Sequence, residues 1–149
     1  MEILIVGVII VALMAYVSTK IKKAAQQAYE PEALENEYFT ITKPEGLIIP
    51  VKDKSEFMFE AYSKDFGEDE AGKFNQCWAV VNEKDGTNYD VNILESEKIE
   101  QDVTIKTYNK TLVSEKLNKS FELEISVIPE YQEKYADGIK LLLQSFNLK

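Results

Sequence analysis

One uncharged stretch near the start of this chain limits what it can fold into more than anything after it. Ile3 to Val17 reads Ile-Leu-Ile-Val-Gly-Val-Ile-Ile-Val-Ala-Leu-Met-Ala-Tyr-Val, fifteen residues in all. At about 1.5 Å each they make roughly 22 Å of helix, short of the ~30 Å hydrocarbon core of a bilayer. Met1, Ser18, Thr19 and Ile21 extend the run, while Lys20, Lys22 and Lys23 snorkel to the headgroups. Together they approach the ~20 residues a spanning helix needs. In lipid a lone segment must satisfy its own backbone hydrogen bonds, so it is helical despite its β-branched Ile and Val. A buried core helix would show a polar face, and this run has none. A cleavable signal peptide would carry base ahead of the apolar run, but the leader here is Met1-Glu2 and the lysines lie beyond. The reading is an uncleaved membrane anchor.

Lys20, Lys22 and Lys23 also give it a direction. Positive charge stays on the cytoplasmic side, so the C-terminal part is expected there, with an extracytoplasmic placement as the alternative. Two glycosylation triplets, Asn109-Lys110-Thr111 and Asn118-Lys119-Ser120, bear on that alternative.

Behind the anchor the chain is acidic. It has 26 acidic and 17 basic residues and a net charge of −9. Without Glu2 and the three flanking lysines, 25 acidic residues face 14 basic ones, which leaves the soluble part near −11. Phosphate backbones and anionic headgroups repel such a surface, so no nucleic-acid partner is expected. One cysteine permits no internal disulfide, and the absence of histidine removes Ser-His-Asp and Cys-His catalysis and the usual zinc sites.

Periodicity divides the rest. Residues 1–29 read as anchor plus juxtamembrane helix, 30–37 as an acidic linker opened by Pro31, and 38–149 as one soluble domain. Strands are expected over 38–42, 47–51, 57–63, 76–82, 89–94, 103–108 and 121–128, with a short one over 111–115. Asp85-Gly86 signals a hairpin that returns through 89–94, and Asn109-Lys110 and Asn118-Lys119 mark turns. Phe121, Leu123, Ile125 and Val127 share one face of a strand, with Glu122, Glu124 and Ser126 on the other. Pro129 opens a final amphipathic helix, where Tyr131, Tyr135, Ile139, Leu142, Leu143 and Phe146 form one apolar stripe. Strands followed by one helix predict an α+β fold: an antiparallel sheet with the C-terminal helix packed on it, behind a single transmembrane helix.

The two ends of the domain carry a resemblance. Phe39-Thr40-Ile41-Thr42-Lys43-Pro44-Glu45-Gly46 resembles the opening strand and Pro-x-Gly of the Mog1/PsbP-like family. Phe121 to Ser126, then Tyr131 and Tyr135, then Gln144-Ser145-Phe146, resemble its closing strand, helix and Ser-Phe. The match spans about a third of the domain. The resemblance implies an αβα sandwich and a mostly non-enzymatic partner of a larger assembly. Members include binders of a small GTPase and extrinsic subunits of photosystem II. The family's membrane-associated members usually work outside the cytoplasm, opposite to the direction the lysines give. No binding residue transfers from the family to this chain.

Individual constellations add little chemistry. Asp65, Glu68, Asp69 and Glu70 depart from the spacing of a calcium loop and read as a solvated acidic loop, as do Glu95, Glu97 and Glu100. Cys77, in an apolar strand without histidine, reads as a buried structural thiol, and Trp78 as core. Tyr62, Phe66 and Phe74 flank the acidic loop and, with Asp69, make the candidate partner surface, since aromatics anchor interfaces. No catalytic residue, cofactor site or metal site is expected. The function expected is a membrane-anchored, non-catalytic acidic domain that binds another protein near the bilayer. A tethered carrier with a small-ligand cavity between sheet and helix is the alternative.

Overall fold

The computed structural model describes residues 2–51, 56–65 and 74–149. Helix α1 runs Glu2–Ala28 and has no buried residue. Among the described residues the apolar run is left exposed, and it is long and apolar enough to cross a membrane. Beyond it lies an α+β domain of two antiparallel sheets and one C-terminal helix.

The smaller sheet joins β1 (Glu32–Glu35), β2 (Phe39–Lys43) and β9 (Asn147–Leu148) in the order β1-β2-β9. The segment 30–37, expected as a linker, thus contains a strand, registered from Glu32↔Lys43 to Glu35↔Thr40. Asn36 makes the connection tight, because its side-chain oxygen accepts from the Tyr38 and Phe39 N–H groups at 2.8 and 2.9 Å.

The larger sheet has six strands: β3 (Leu47–Ile48), β4 (Phe59–Ser63), β5 (Cys77–Asp85), β6 (Leu94–Glu100), β7 (Val103–Ser114) and β8 (Lys119–Val127). Their order is β3-β4-β5-β8-β7-β6. A 3₁₀ turn over Pro129–Tyr131 leads into α2 (Gln132–Ser145). Phe121, Leu123, Ile125 and Val127 on β8 are all fully buried, as their alternation requires. They meet Tyr135, Ile139 and Leu142 of α2 and Phe39 and Ile41 of β2, so the core lies between the large sheet and a layer made of α2 and the small sheet. Phe39 stacks edge-on to Phe146 with centroids 5.2 Å apart and tilts onto Phe121 at 5.8 Å. Each such aromatic contributes about 1.5–3 kcal/mol by burial. On the large sheet's other face, the described residues place no helix.

Three local expectations are revised. Gly86 takes the left-handed conformation with φ 86°, but 89–93 does not return along β5. Gly86 N–H instead donates to Asn118 O at 3.0 Å and its carbonyl accepts from Ser120 Oγ at 2.7 Å, so β5 pairs with β8. Asn109-Lys110 lies inside β7 rather than at a turn, because both residues pair with β8. The segment containing Glu95, Glu97 and Glu100 is a strand, β6. Strand alternation splits its acids, so Glu95 and Glu97 occupy one face and Glu100 the other.

Candidate functional site

Two features stand out for their chemistry: the junction between α1 and the domain, and an aromatic groove on the face of the large sheet away from α2.

At the junction Lys43 continues the inward alternation of Phe39 and Ile41, and the whole residue is only 1% exposed. Its ammonium donates to the carbonyls of Glu30 (2.5 Å), Leu47 (2.7 Å) and Ala28 (3.2 Å). Ala28 is the last residue of α1, where helix carbonyls have no partner of their own and carry partial negative charge. Gly46, with φ 87°, adds an N–H bond to Tyr29 O at 2.9 Å. Burial pushes the Lys43 ammonium below its ordinary pKa of 10.5, and Glu32 and Glu30 pull it back up. Thus a caged cation joins the end of the apolar helix to the domain. Lys20, Lys22 and Lys23 are exposed in the C-terminal part of α1, as is the rest of that helix.

The second feature comes from the outward positions of β4 and β5. Register sets Tyr62 directly opposite Trp78 and Glu60 opposite Val80. Trp78, expected in the core, is half-buried on this outer face, because alternation sends Cys77, Ala79 and Val81 inward and Trp78 outward. Phe74 stacks on it at 5.8 Å with the rings 11° from parallel. These aromatics, with Phe57 and the polar Asn82 and Lys98, line a groove of about 390 Å³. Tyr62 donates to Glu60 Oε2 at 3.0 Å, while Glu60 is 4% exposed. Burial, then this carboxylate, push the Tyr62 phenol up to about 12. Of the four expected partner-surface residues, Tyr62 and Phe74 meet around Trp78, and Phe66 and Asp69 lie outside the described residues, with Glu68 and Glu70. Asp65 is described, exposed, and 3.3 Å from Lys134.

A third concavity of about 580 Å³ separates α2 from the β3–β4 side, lined by Leu47, Cys77, Tyr135, Leu142, Lys64 and Lys134 among others. Cys77 is 1% exposed, and burial pushes its thiol up to about 12, so it stays protonated at neutral pH. Among the described residues no group of three or more acidic or cysteine side chains converges as a metal site would.

Residue type does not single out Lys43 or Lys110, and only the alternation of β2 marks Lys43, yet both hold helix ends. Lys110 donates to the carbonyls of Leu143 (2.5 Å) and Phe146 (2.7 Å), capping the C-terminus of α2 as Lys43 caps that of α1.

The architecture defines a class: an α+β domain carrying an N-terminal helix long and apolar enough to span a membrane. No family model matches the sequence, and no curated protein matches it. Among solved structures, the chain is similar to the solution structure of cyanobacterial PsbP (CyanoP) from Synechocystis sp. PCC 6803. That likeness covers 81% of this chain and 94% of that one, at 8% identity and a TM-score of 0.46.

Proposed function

We propose that this chain is a membrane-anchored, non-catalytic domain that holds a protein-binding face at a set position beside the bilayer. The observation that carries this reading is helix α1. None of its residues is buried, yet its end is fastened to the domain through Lys43 and Gly46. A helix so exposed needs a lipid environment, and a fastened one presents the domain in one orientation. The docking face is the outer groove, where Tyr62, Phe74 and Trp78 offer aromatic surface beside Asn82 and Lys98. The lack of histidine and the protonated Cys77 thiol favour a non-catalytic role. The flanking lysines favour a cytoplasmic domain.

The test pairs topology with contact. In sealed native vesicles, protease cleaves the domain only from the cytoplasmic side, and alkaline washing leaves the chain in the membrane. A photo-crosslinking residue at Asn82 yields one defined adduct that Trp78→Ala abolishes, whereas a crosslinker at exposed Glu130 yields none. Release by alkaline washing refutes the anchor, and identical adducts from both positions refute the groove.

The concavity of about 580 Å³ favours a second reading, a tethered small-ligand carrier. Native mass spectrometry of the detergent-extracted chain checks it, since a carrier retains a defined small-molecule mass.

A further inference from the structure

Among the described strands, β6 is the long edge left open. It is hydrogen-bonded to β7 alone, and all seven of its residues are exposed. The other sheet edges are blunted: β3 is two residues long with Pro50 close behind, β1 is opened by Pro31, and β9 has two residues. β6 is neither short nor bordered by proline, and its charged side chains are what guards it. It contains no proline, and its register with β7 is unbroken from Leu94 to Glu100.

The turn beyond it tells which backbone groups are free. Gln101 and Asp102 have φ of 51° and 65°, the two positive values of a type I′ turn. Such a turn closes on Glu100 and Val103 as a hydrogen-bonded pair, so Lys98↔Ile105 and Ser96↔Thr107 are bonded pairs too. Glu95, Glu97 and Ile99 consequently aim their N–H and C=O groups away from β7. The strand also carries exposed apolar side chains, Ile99 at 76% and Leu94 at 50%.

We propose that β6 is the docking edge for an extended, basic segment of a partner protein, which adds to the sheet as a seventh strand. Charge selects this occupant. Of the strand's four charged residues three are glutamates, and its one lysine, Lys98, already serves Glu124 at 3.4 Å and Glu100 at 3.8 Å. A second copy adding antiparallel about a two-fold axis at Glu97 would set Glu97 against itself, between two chains that each carry −9. Like charges directly opposite destabilise a strand pair. A segment alternating lysine or arginine with apolar residues has neither fault. Its cations meet Glu97 along one face, beside Glu95, which Lys106 already approaches at 3.7 Å, and its apolar residues cover Leu94 on the other. Main-chain bonds supply the affinity and the alternate side chains the selectivity. Lys98 and Glu100 of β6 line the far end of the aromatic groove, but the outward backbone of Glu95, Glu97 and Ile99 lies at the sheet edge, with β8 and β7 between it and Trp78, so either surface can hold without the other.

The probe is a fluorescent peptide of alternating lysine and valine, titrated by anisotropy into the full chain in phosphatidylcholine nanodiscs at about 150 mM salt. Saturable binding is expected, weakened at least about tenfold for the same peptide with its backbone N-methylated, which keeps its charge and loses its donors. Glu97→Pro removes one outward N–H without touching the ladder to β7, and weakens binding to a similar extent. Glu97→Lys keeps the backbone and weakens it through charge, so it carries the test should the proline variant not fold. Trp78→Ala leaves the affinity unchanged, which separates failure here from failure of the groove. Equal binding of the two peptides, or indifference to both Glu97 variants, overturns edge docking in favour of diffuse charge attraction. Absence of saturable binding overturns it as well. Self-association that Glu97→Pro abolishes, without peptide binding, assigns the edge to a second copy and overturns the proposal.

Discussion

Replacing Lys43 by methionine keeps the bulk of a buried chain and deletes its cation. The ammonium's two shortest bonds, to Glu30 O at 2.5 Å and Leu47 O at 2.7 Å, are the ones that matter most. Hydrogen bonds to a charged group contribute about 1.5–3 kcal/mol each, and a buried carbonyl left bare costs about 1–3 kcal/mol. Against this, methionine removes the several-kcal/mol penalty of holding a cation away from water. The balance is a net loss of about 2–3 kcal/mol, which lowers the midpoint of thermal unfolding by about 5–10 °C.

The location of the loss is the sharper test. After the substitution, the junction retains the Gly46 N–H bond to Tyr29 O at 2.9 Å and the pairing of β1 with β2. Hydrogen exchange of the full chain in nanodiscs therefore speeds up at the Gly46 amide and along β1 by more than the global change explains, while β5 and β8 follow the global change. Spin labels on α1 and on β8 broaden in their distance distribution as the domain gains freedom on its anchor. A wild-type midpoint with unchanged protection at Gly46 would refute the clamp. Uniform exchange across all strands would refute its local character.

Lys110→Met strips the donor from the Leu143 and Phe146 carbonyls and costs about 1–3 kcal/mol, with exchange rising first in the last turn of α2. Gly138→Val sets a Cβ 3.1 Å from Pro44 Cβ and 3.2 Å from its Cγ, and the rigid ring cannot give way. A loss of about 1–3 kcal/mol in denaturant unfolding is expected. The Cys77 thiol rises from 9.0 to about 12 on folding, so the native state keeps a proton that the unfolded chain sheds. Stability therefore falls as pH climbs from about 9 to about 12, by up to about 4 kcal/mol, and Cys77→Ala flattens that slope. Tyr62, raised from 10.0 to about 12, leaves a smaller decline of the same sign over the upper part of that window.

Burial on one side decides how much of the fold the residues alone reveal. β8 and α2 are legible because each has one wet and one dry face, so period 2 and period 3.6 stand out. β6 is not, because both its faces are exposed and its acids hide any alternation. Local turn preference misplaces Asn109-Lys110, since nothing local reveals that Lys110 reaches the end of a helix 33 residues away. Residue type assigns Trp78 to the core, whereas counting alternation from Cys77 sends it outward toward Tyr62. The same counting applies to Lys43, which follows Phe39 and Ile41 on the inward face. A lysine in phase with core residues is the signal that marks the junction.

The two inward lysines also change how the charge of the domain acts. Counted by sequence they offset two of the acids, but each spends its cation on helix-end carbonyls rather than on the surface. The face offered to solvent is therefore more acidic than the formal balance, and anionic headgroups repel it more strongly. A domain on a loose tether would answer that repulsion by drifting away from the membrane plane. Fastened through Lys43 and Gly46, it keeps the orientation of its helix instead, and its outer groove and β6 edge keep theirs. A stiff connection gives up the long reach of a flexible linker and concentrates the domain at one height and angle. Under the proposed docking role, a partner would then be selected by where it presents its complementary surface as well as by its chemistry.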